Sequence, residues 1–339
     1  MRDSLKIIPA PNPPYNSAIG YTTSRYVSRT YALSTKSLGF EIVRDHYLVC
    51  LYLELCYSLL KKTRIWFLAM PEASKQATVI TVSCLSGGSG KSTTVLNLAT
   101  MLSGKGKTLA VDFDPQGNLS QWLGWTDLSN EPTIAEAILP SNDRVPITEI
   151  IKTPKNENRS NTLFLAPSDF SLAHAADIIA PNPGRERFLS RALKSITDEY
   201  QFIVIDSPPS KGILTYNAIL AADFLVIPTE CTNKGVMGAI NTVQLVRELA
   251  EIDFVVPHIL GIVPTRDQWA GANQTRMSKA AMKALEESLP SIRLFSSLRQ
   301  STIVQQTNMA GWSLAEAGET KLSKPYVEVI NTVIAKING

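Results

Sequence analysis

Cysteine is scarce in this chain of 339 residues. The four cysteines are Cys50, Cys56, Cys84 and Cys231, and their spacing matches no metal-ligand motif. This pattern excludes a disulfide framework or a cysteine-based zinc site as the basis of the fold. Thiols without such roles are typical of a reducing compartment, so we expect a cytoplasmic protein.

Long hydrophobic runs are also lacking. The apolar run at 47–60 is shorter than the roughly 20 residues that cross a bilayer, and it contains Glu54. It lies too far from Met1 for an ordinary signal peptide. Residues 1–69 therefore fit three interpretations: a mis-assigned start with Met70 as the true initiator, a poorly ordered extension, or a membrane anchor. We expect them to lie outside the folded domain, which spans 70–339.

A surplus of positive charge is absent from that domain. The whole chain has a net charge of +3, but residues 1–69 carry 9 Lys and Arg against 4 Asp and Glu, a surplus of +5. The remainder has 24 basic residues against 26 acidic ones, or −2. This balance excludes a globally basic nucleic-acid-binding domain, so any contact with DNA must come from a local patch.

What the sequence does contain is a glycine-rich loop at 84–93, between an apolar β-branched run and a helical pattern. Strand, loop and helix in this order are the context of a phosphate-binding loop. Glycines let backbone N–H groups approach a phosphate, and the helix N-terminus adds unpaired donors. Lys91 is expected to reach the β- and γ-phosphates, and Ser92 to bind Mg²⁺. The residues expected to contact the nucleotide here are Ser86, Gly87, Gly88, Ser89, Gly90, Lys91, Ser92 and Thr93.

Strand and helix patterns alternate from residue 77 onward. Apolar runs predict strands at 77–82, 107–113, 161–166, 202–206, 224–228 and 258–263. Periodic patterns predict helices at 94–102, 170–179, 186–198, 236–250, 275–289 and 325–337. Continuous apolar strands separated by helices indicate an α/β fold: a mostly parallel, doubly wound sheet with helices on both faces. Ligand-binding loops then gather at the C-terminal ends of the strands.

Three acidic residues follow strands at those ends. Asp112 and Asp114 close the second predicted strand, and Asp206 closes the fourth. An acid in such a position can hold Mg²⁺ or its waters, and another can orient the attacking water. For Asp112 or Asp114 alone, a turn role before Pro115 is the alternative.

Three motifs, in chain order, resemble the ParA/MinD-type ATPases with a deviant Walker A loop. They are Gly-Gly-Ser-Gly-Lys-Ser-Thr at 87–93, Asp-Phe-Asp-Pro-Gln-Gly-Asn at 112–118 and Ile-Asp-Ser-Pro-Pro-Ser at 205–210. The resemblance extends to the C-terminal helix and includes Gly-Ile-Val-Pro-Thr-Arg-Asp at 261–267. It implies a P-loop NTPase fold, an ATP-sandwich homodimer with ATP and Mg²⁺, non-specific DNA binding, and slow hydrolysis that an adaptor protein on the cargo stimulates.

The resemblance also implies roles for single residues. Lys91 and Ser92 bind phosphate and Mg²⁺, and Asp114 positions the attacking water. Asp112 and Asp206 support the metal ion. Arg266, within the motif at 261–267, is expected to contact the nucleotide.

The sequence departs from the family pattern at Ser86. The family usually has a lysine there, which reaches the ATP of the partner subunit. Serine at this position resembles the branch that positions carboxysomes in cyanobacteria, in which a later lysine is thought to substitute. Lys234 and Lys211 are the two candidates, and Lys234 is preferred because it enters from the strand ends, where the dimer interface is expected. The alternative is that either is a solvated surface lysine.

Several functions remain compatible with this family. Ser86 favours a nucleoid-associated protein that positions carboxysomes over a plasmid or chromosome partition ATPase. A redox relative of nitrogenase reductase would need cysteines at a dimer interface. A membrane-cycling division ATPase would need a basic amphipathic tail, and the C-terminal stripe 327, 330, 333, 334 and 337 has only Lys336 as a basic residue. We therefore expect that helix to dock on the core, without stable membrane association.

A local basic patch is expected to bind DNA. Residues 271–300 contain five basic residues against Glu286 and Glu287. The five are Arg276, Lys279, Lys283, Arg293 and Arg299. The alternative is a solvated helix face without a ligand.

Overall fold

The computed structural model describes residues 76–140, 142–156 and 161–338. The interpretations of residues 1–69 lie outside this range and stay predictions. Within it, strands and helices alternate from Thr78 to Asn338.

A six-stranded parallel sheet forms the centre of the fold. Its strands are β1 (Thr78–Val82), β2 (Thr108–Asp112), β3 (Leu163–Ala166), β4 (Phe202–Asp206), β5 (Phe224–Glu230) and β6 (His258–Thr265). Their spatial order is β3-β2-β4-β1-β5-β6. A separate antiparallel hairpin contains β7 (Trp269–Ala270) and β8 (Asn273–Gln274). All six predicted strands are present, and the predicted α/β fold is confirmed.

Helices cover both faces of the sheet, as the apolar strands predict. On β4, Ile203 and Ile205 pack into one layer, while Phe202 and Val204 pack into the other. The first layer contains α3 (Ile134–Ala137), α4 (Ile147–Ile150), α5 (Ser171–Ile179), α6 (Phe188–Leu193), α7 (Ile213–Leu220), α8 (Asn233–Glu251) and α9 (Arg276–Ser288). The second contains α1 (Lys91–Ser103), α2 (Asn118–Trp122), α10 (Thr302–Met309) and α11 (Thr320–Asn338). Strands buried on both sides need no polar alternation, which explains their continuous apolar runs.

The helix predicted over 186–198 is shorter in the structure. A 3₁₀ turn at Arg185–Arg187 leads into α6, which ends at Leu193. Beyond it, the hydroxyls of Ser195 and Thr197 donate to carbonyls three residues earlier, at 3.1 and 3.2 Å. Such side-chain bonds compete with the backbone ladder, and they accompany the end of the helix here.

The C-terminal helix also differs from its predicted bounds. It begins at Thr320 rather than at Pro325, which lies inside it. Val327, expected in the buried stripe, is 39% exposed, and the neighbouring Tyr326 and Val329 are fully buried instead. The predicted docking on the core is confirmed, because α11 packs on α1 and β6. No helix of the described residues is long and apolar enough to cross a bilayer.

The parallel register brings the predicted functional loops to one edge of the sheet. Asp206, the last residue of β4, pairs with Asp112 on β2 and with Val82 on β1. The loops that follow these three strands therefore start side by side.

Candidate functional site

The loop between β1 and α1 depends on glycine at two positions. Gly88 has φ 78° and Gly90 has φ 87°, in the left-handed region that L side chains disfavour. Gly90 immediately precedes α1, so this conformation turns the chain into the helix. Thr265, at the end of β6, closes the loop from the far side, because its hydroxyl donates to the Ser89 carbonyl at 2.8 Å.

Lys91 is the cation of this loop. Its side chain is buried, with the residue only 7% exposed. Its Nζ donates to the Ser86 carbonyl at 3.1 Å, so the ammonium folds back on the backbone of its own loop. A buried lysine with one carbonyl partner keeps donors for an anion.

A cavity of about 530 Å³ opens beside the loop, a volume typical of small-molecule sites. Predicted residues that line it are Gly87, Gly88, Ser89, Gly90, Lys91, Ser92, Thr93, Asp114 and Arg266. A second cavity of about 240 Å³ shares several of its lining residues and extends the cleft past Arg299. Most of the predicted nucleotide contacts therefore meet at one cleft.

The sequence analysis missed seven residues that line the larger cavity. They are Gln116, Asn118, Trp122, Pro209, Gln305, Asn308 and Met309. The motif at 112–118 already contained Gln116 and Asn118, so it could have indicated both. Asn308 had no local signal: its amide donates to the Thr93 hydroxyl at 2.8 Å, across 215 residues of chain.

Arg266 lies at the open side of the cleft. Its φ of 49° is rare for a residue with a side chain. The guanidinium lies over Gly88, where an added Cβ would be 3.5 Å from Nη1. The same Nη1 donates to Glu230 at 3.4 Å. The predicted nucleotide contact is therefore a cation held above the phosphate loop.

Asp206 has the features of a metal ligand. It is fully buried, and neither carboxylate oxygen has a hydrogen-bond partner of normal geometry within the described range. Burial raises its pKa, the charge of Asp112 raises it further, and Ser92 and Lys91 lower it. Mg²⁺ prefers oxygen ligands and keeps several waters. An unpartnered buried carboxylate beside a serine hydroxyl fits this ion, so Ser92 and Asp206 would hold it, a role that stays a prediction.

Asp112, the other predicted metal ligand, points elsewhere. One oxygen accepts from the amide and the hydroxyl of Ser120, at 2.8 and 2.7 Å. The other accepts from the Asp114 amide at 3.4 Å. Burial raises its pKa. Asp112 does not line the larger cavity, and both of its carboxylate oxygens already accept hydrogen bonds.

Asp114 lines the cavity at 8% exposure. Its Oδ1 accepts from the Gln116 amide at 3.0 Å, and no other described group donates to Oδ2. Burial raises its pKa, while the Gln116 amide and the charge of Lys91 lower it. A carboxylate with one oxygen fixed and one available can orient a water molecule.

Ser86 lies against α8 rather than in the cavity. A Cβ on Gly238 would be 2.6 Å from the Ser86 Cβ, so only glycine lets the helix approach here. Lys234 lies one turn earlier on α8 and is exposed. Within the described part of the chain it forms no ion pair, whereas Lys211 pairs with Glu248 at 2.7 Å. Of the two candidate lysines, Lys234 is therefore the one without an ion-pair partner among the described residues.

The five basic residues predicted to bind DNA differ in their local contacts. Arg276, Lys279 and Lys283 are exposed on one side of α9. Arg299 stacks on the Trp269 ring at 3.8 Å, in the hairpin that leads into α9. Arg293 donates to Thr332 on α11 at 3.0 Å.

Comparison with known proteins shows the family to which this chain belongs. The AAA-domain family matches residues 77–256. Maintenance of carboxysome distribution protein A (McdA) of Gloeothece citriformis is 35% identical over 247 residues, which cover 73% of this chain and 93% of the relative. The chain belongs to the ParA-type ATPases.

Further relatives of this ParA-type ATPase agree with that assignment. The ATP complex of McdA from Cyanothece matches with a TM-score of 0.71 and 33% identity, covering 76% of this chain and 97% of that one. The sporulation initiation inhibitor protein Soj of Bacillus subtilis is 36% identical over 186 residues, 54% of this chain and 71% of the relative. The protein is an ATPase with a P-loop NTPase fold, and its nucleotide is ATP.

Proposed function

We propose that this ParA-type ATPase forms an ATP-sandwich homodimer, binds nucleoid DNA without sequence preference, and positions carboxysomes through an adaptor protein that stimulates hydrolysis. The observation that carries the proposal is the similarity to carboxysome distribution proteins along nearly their whole length. The match to Soj covers less of both chains. Ser86, in place of the lysine usual in this family, supports the same choice.

The dimer part of the proposal rests on charge. A sandwich brings two triphosphates toward one interface, and repulsion between them must be offset by cations. Ser86 cannot supply a charge, and its side chain is buried against Gly238. Lys234 is exposed at the same edge of the sheet and forms no ion pair with any described residue. We therefore assign it the role of the missing lysine, in the ATP site of the partner subunit.

Lys234→Ala is expected to weaken dimerisation at least about 30-fold, the cost of removing one partner from a desolvated charge pair. ATP binding by the monomer should change less than about threefold, because Lys234 does not line the cavity. Light scattering with a non-hydrolysable ATP analogue and Mg²⁺, over a range of protein concentrations, measures the fraction of the protein that is dimeric. Lys211→Ala is the matched control and should leave dimerisation unchanged. A full dimer population for Lys234→Ala, with loss in Lys211→Ala, would transfer the role to Lys211.

The DNA part of the proposal rests on the basic side of α9. Arg276, Lys279 and Lys283 recur at helical spacing on an exposed surface. Lys283 already has a partner in Glu287 at 3.5 Å, but that pair is exposed and contributes little. When these side chains neutralise DNA phosphates, counterions are released from the DNA, which gives salt-dependent binding without base recognition.

The double variant Arg276→Glu/Lys279→Glu is expected to lower DNA affinity about tenfold. The slope of log affinity against log salt concentration should become shallower by about 1 for each phosphate that is no longer neutralised. Fluorescence anisotropy with two unrelated duplexes, in ATP and Mg²⁺, measures both. The control Lys105→Glu/Lys194→Glu makes the same charge change at two exposed positions outside 271–300. Equal losses of affinity in both variants would show that net charge, not this helix, sets the affinity.

The whole proposal is tested by capturing the partner. Asp114→Ala, expected to hold ATP without turnover, serves as bait in a lysate of the source organism, and Lys91→Ala, expected to bind no ATP, is the control bait. A protein that resides on carboxysomes should appear only with the first. A centromere-binding protein in its place would identify a plasmid or chromosome partition ATPase.

A further inference from the structure

Four residues form a closed ring of hydrogen bonds behind the loop that carries Asp114. The Asp112 carboxylate accepts from the amide and hydroxyl of Ser120. The Ser120 hydroxyl accepts from the Ser168 amide at 2.9 Å. The Ser168 hydroxyl donates to the Asp114 carbonyl at 2.9 Å. The Asp114 amide donates to Asp112 at 3.4 Å and closes the ring.

The ring is buried and lies outside the larger cavity. Asp112 and Ser120 are fully buried, and Ser168 is 2% exposed. None of these three lines the larger cavity, whereas Asp114 does. Hydrogen bonds shielded from water hold geometry more tightly than exposed ones. Asp112, Ser120 and Ser168 do not line the larger cavity, but their hydrogen bonds hold the backbone of Asp114, which does.

A close backbone approach reinforces the ring. Gly117, with φ 62°, donates its amide to the Asp114 carbonyl at 3.0 Å, so that carbonyl has two donors. A Cβ at Gly117 would lie 2.7 Å from the Ser168 carbonyl oxygen. The loop that follows β3 is thus packed directly on the loop that follows β2, and Ser168 is the side chain that joins them.

We infer that Ser120 and Ser168 are positioning residues for hydrolysis, which hold the Asp114 backbone so that its carboxylate meets the attacking water. In this ring Asp112 is the buried carboxylate that accepts hydrogen bonds from Ser120 and from the Asp114 amide, and we assign it this role instead of that of a metal ligand. The inference rests on the proposed role of Asp114. Small displacements of a group that orients a reactant reduce rates strongly, because orientation supplies much of the acceleration.

The test compares Ser168→Ala and Ser120→Ala with Ser103→Ala. Ser103 is equally buried, and its hydroxyl donates to a backbone carbonyl at 2.7 Å, but it lies at the far end of α1. Each ring variant is expected to lower kcat for ATP hydrolysis about tenfold and to leave KM within about twofold. Ser103→Ala should change neither. If one ring variant fails to fold, the other breaks the same ring at a different bond.

A double-mutant cycle separates positioning from general destabilisation. In an Asp114→Ala background, Ser168→Ala should cause no further fall in kcat, because there is no carboxylate left to position. A further tenfold fall, or equal effects of Ser168→Ala and Ser103→Ala, would overturn the inference. Wild-type turnover of Asp114→Ala itself would instead overturn the role proposed for Asp114, so the two failures are distinguishable.

Discussion

Lys91→Ala is expected to abolish ATP binding, with affinity falling at least about 100-fold. In the structure, the Lys91 ammonium is buried and has one carbonyl partner, from Ser86. It is the only lysine or arginine among residues 84–93. The glycine-rich backbone and the helix N-terminus remain in the variant, but their dipoles replace only part of a full charge beside a triphosphate.

Calorimetric titration with ATP and Mg²⁺ measures this loss, and thermal unfolding checks that the variant is folded. ATP should raise the unfolding midpoint of the wild type, since a ligand that binds only the native state stabilises it by mass action. The midpoint of Lys91→Ala should not move at the same ATP concentration. Lys107→Ala, which removes a half-buried lysine paired with Glu199, should respond like the wild type. Undiminished affinity of Lys91→Ala would contradict the nucleotide site proposed here.

The sequence predicted the sheet well because its signal is local. Each strand is a short apolar run, and burial on both faces makes that run continuous. The phosphate loop is equally local, because the positive φ of Gly88 and Gly90 follows from one stretch of ten residues. The helix after it begins at Lys91, three residues before the predicted start. The order of the three motifs then placed the acids at one edge, because parallel strands end on the same side.

What the sequence could not predict depends on distant contacts and side-chain direction. Thr265 closes the loop through Ser89 across 176 residues, and Asn308 reaches Thr93 across 215. No periodic pattern marks such pairs. Asp112 and Asp206 both end apolar strands and are register partners. Only the structure distinguishes them, because Ser120 supplies donors to the first, whereas neither oxygen of the second has a hydrogen bond of normal geometry within the described range.

Asp114→Ala is expected to bind ATP within about threefold of the wild type and to hydrolyse it about 100-fold more slowly, the lower range for loss of a group that handles the attacking water. One oxygen of Asp114 is fixed by the Gln116 amide, and Pro115 restricts the turn between them. The carboxylate is therefore held at the cavity wall with its second oxygen available. Binding should survive, because the phosphate contacts come from Lys91 and the loop backbone.

The matched control for this variant is Asp127→Ala. Asp127 accepts from the amide two residues later, Ser129, at the same 3.0 Å as Asp114 accepts from Gln116. It does not line the larger cavity. Both substitutions thus remove a bond from the amide two residues later, and Asp127→Ala also removes one from the Ser129 hydroxyl. Only Asp114→Ala removes a carboxylate from the cleft. Single-turnover phosphate release should be slow for Asp114→Ala and normal for Asp127→Ala. Equal rates of phosphate release in the two variants would show that the Asp114 carboxylate does not accelerate hydrolysis. Another group would then have to orient the water.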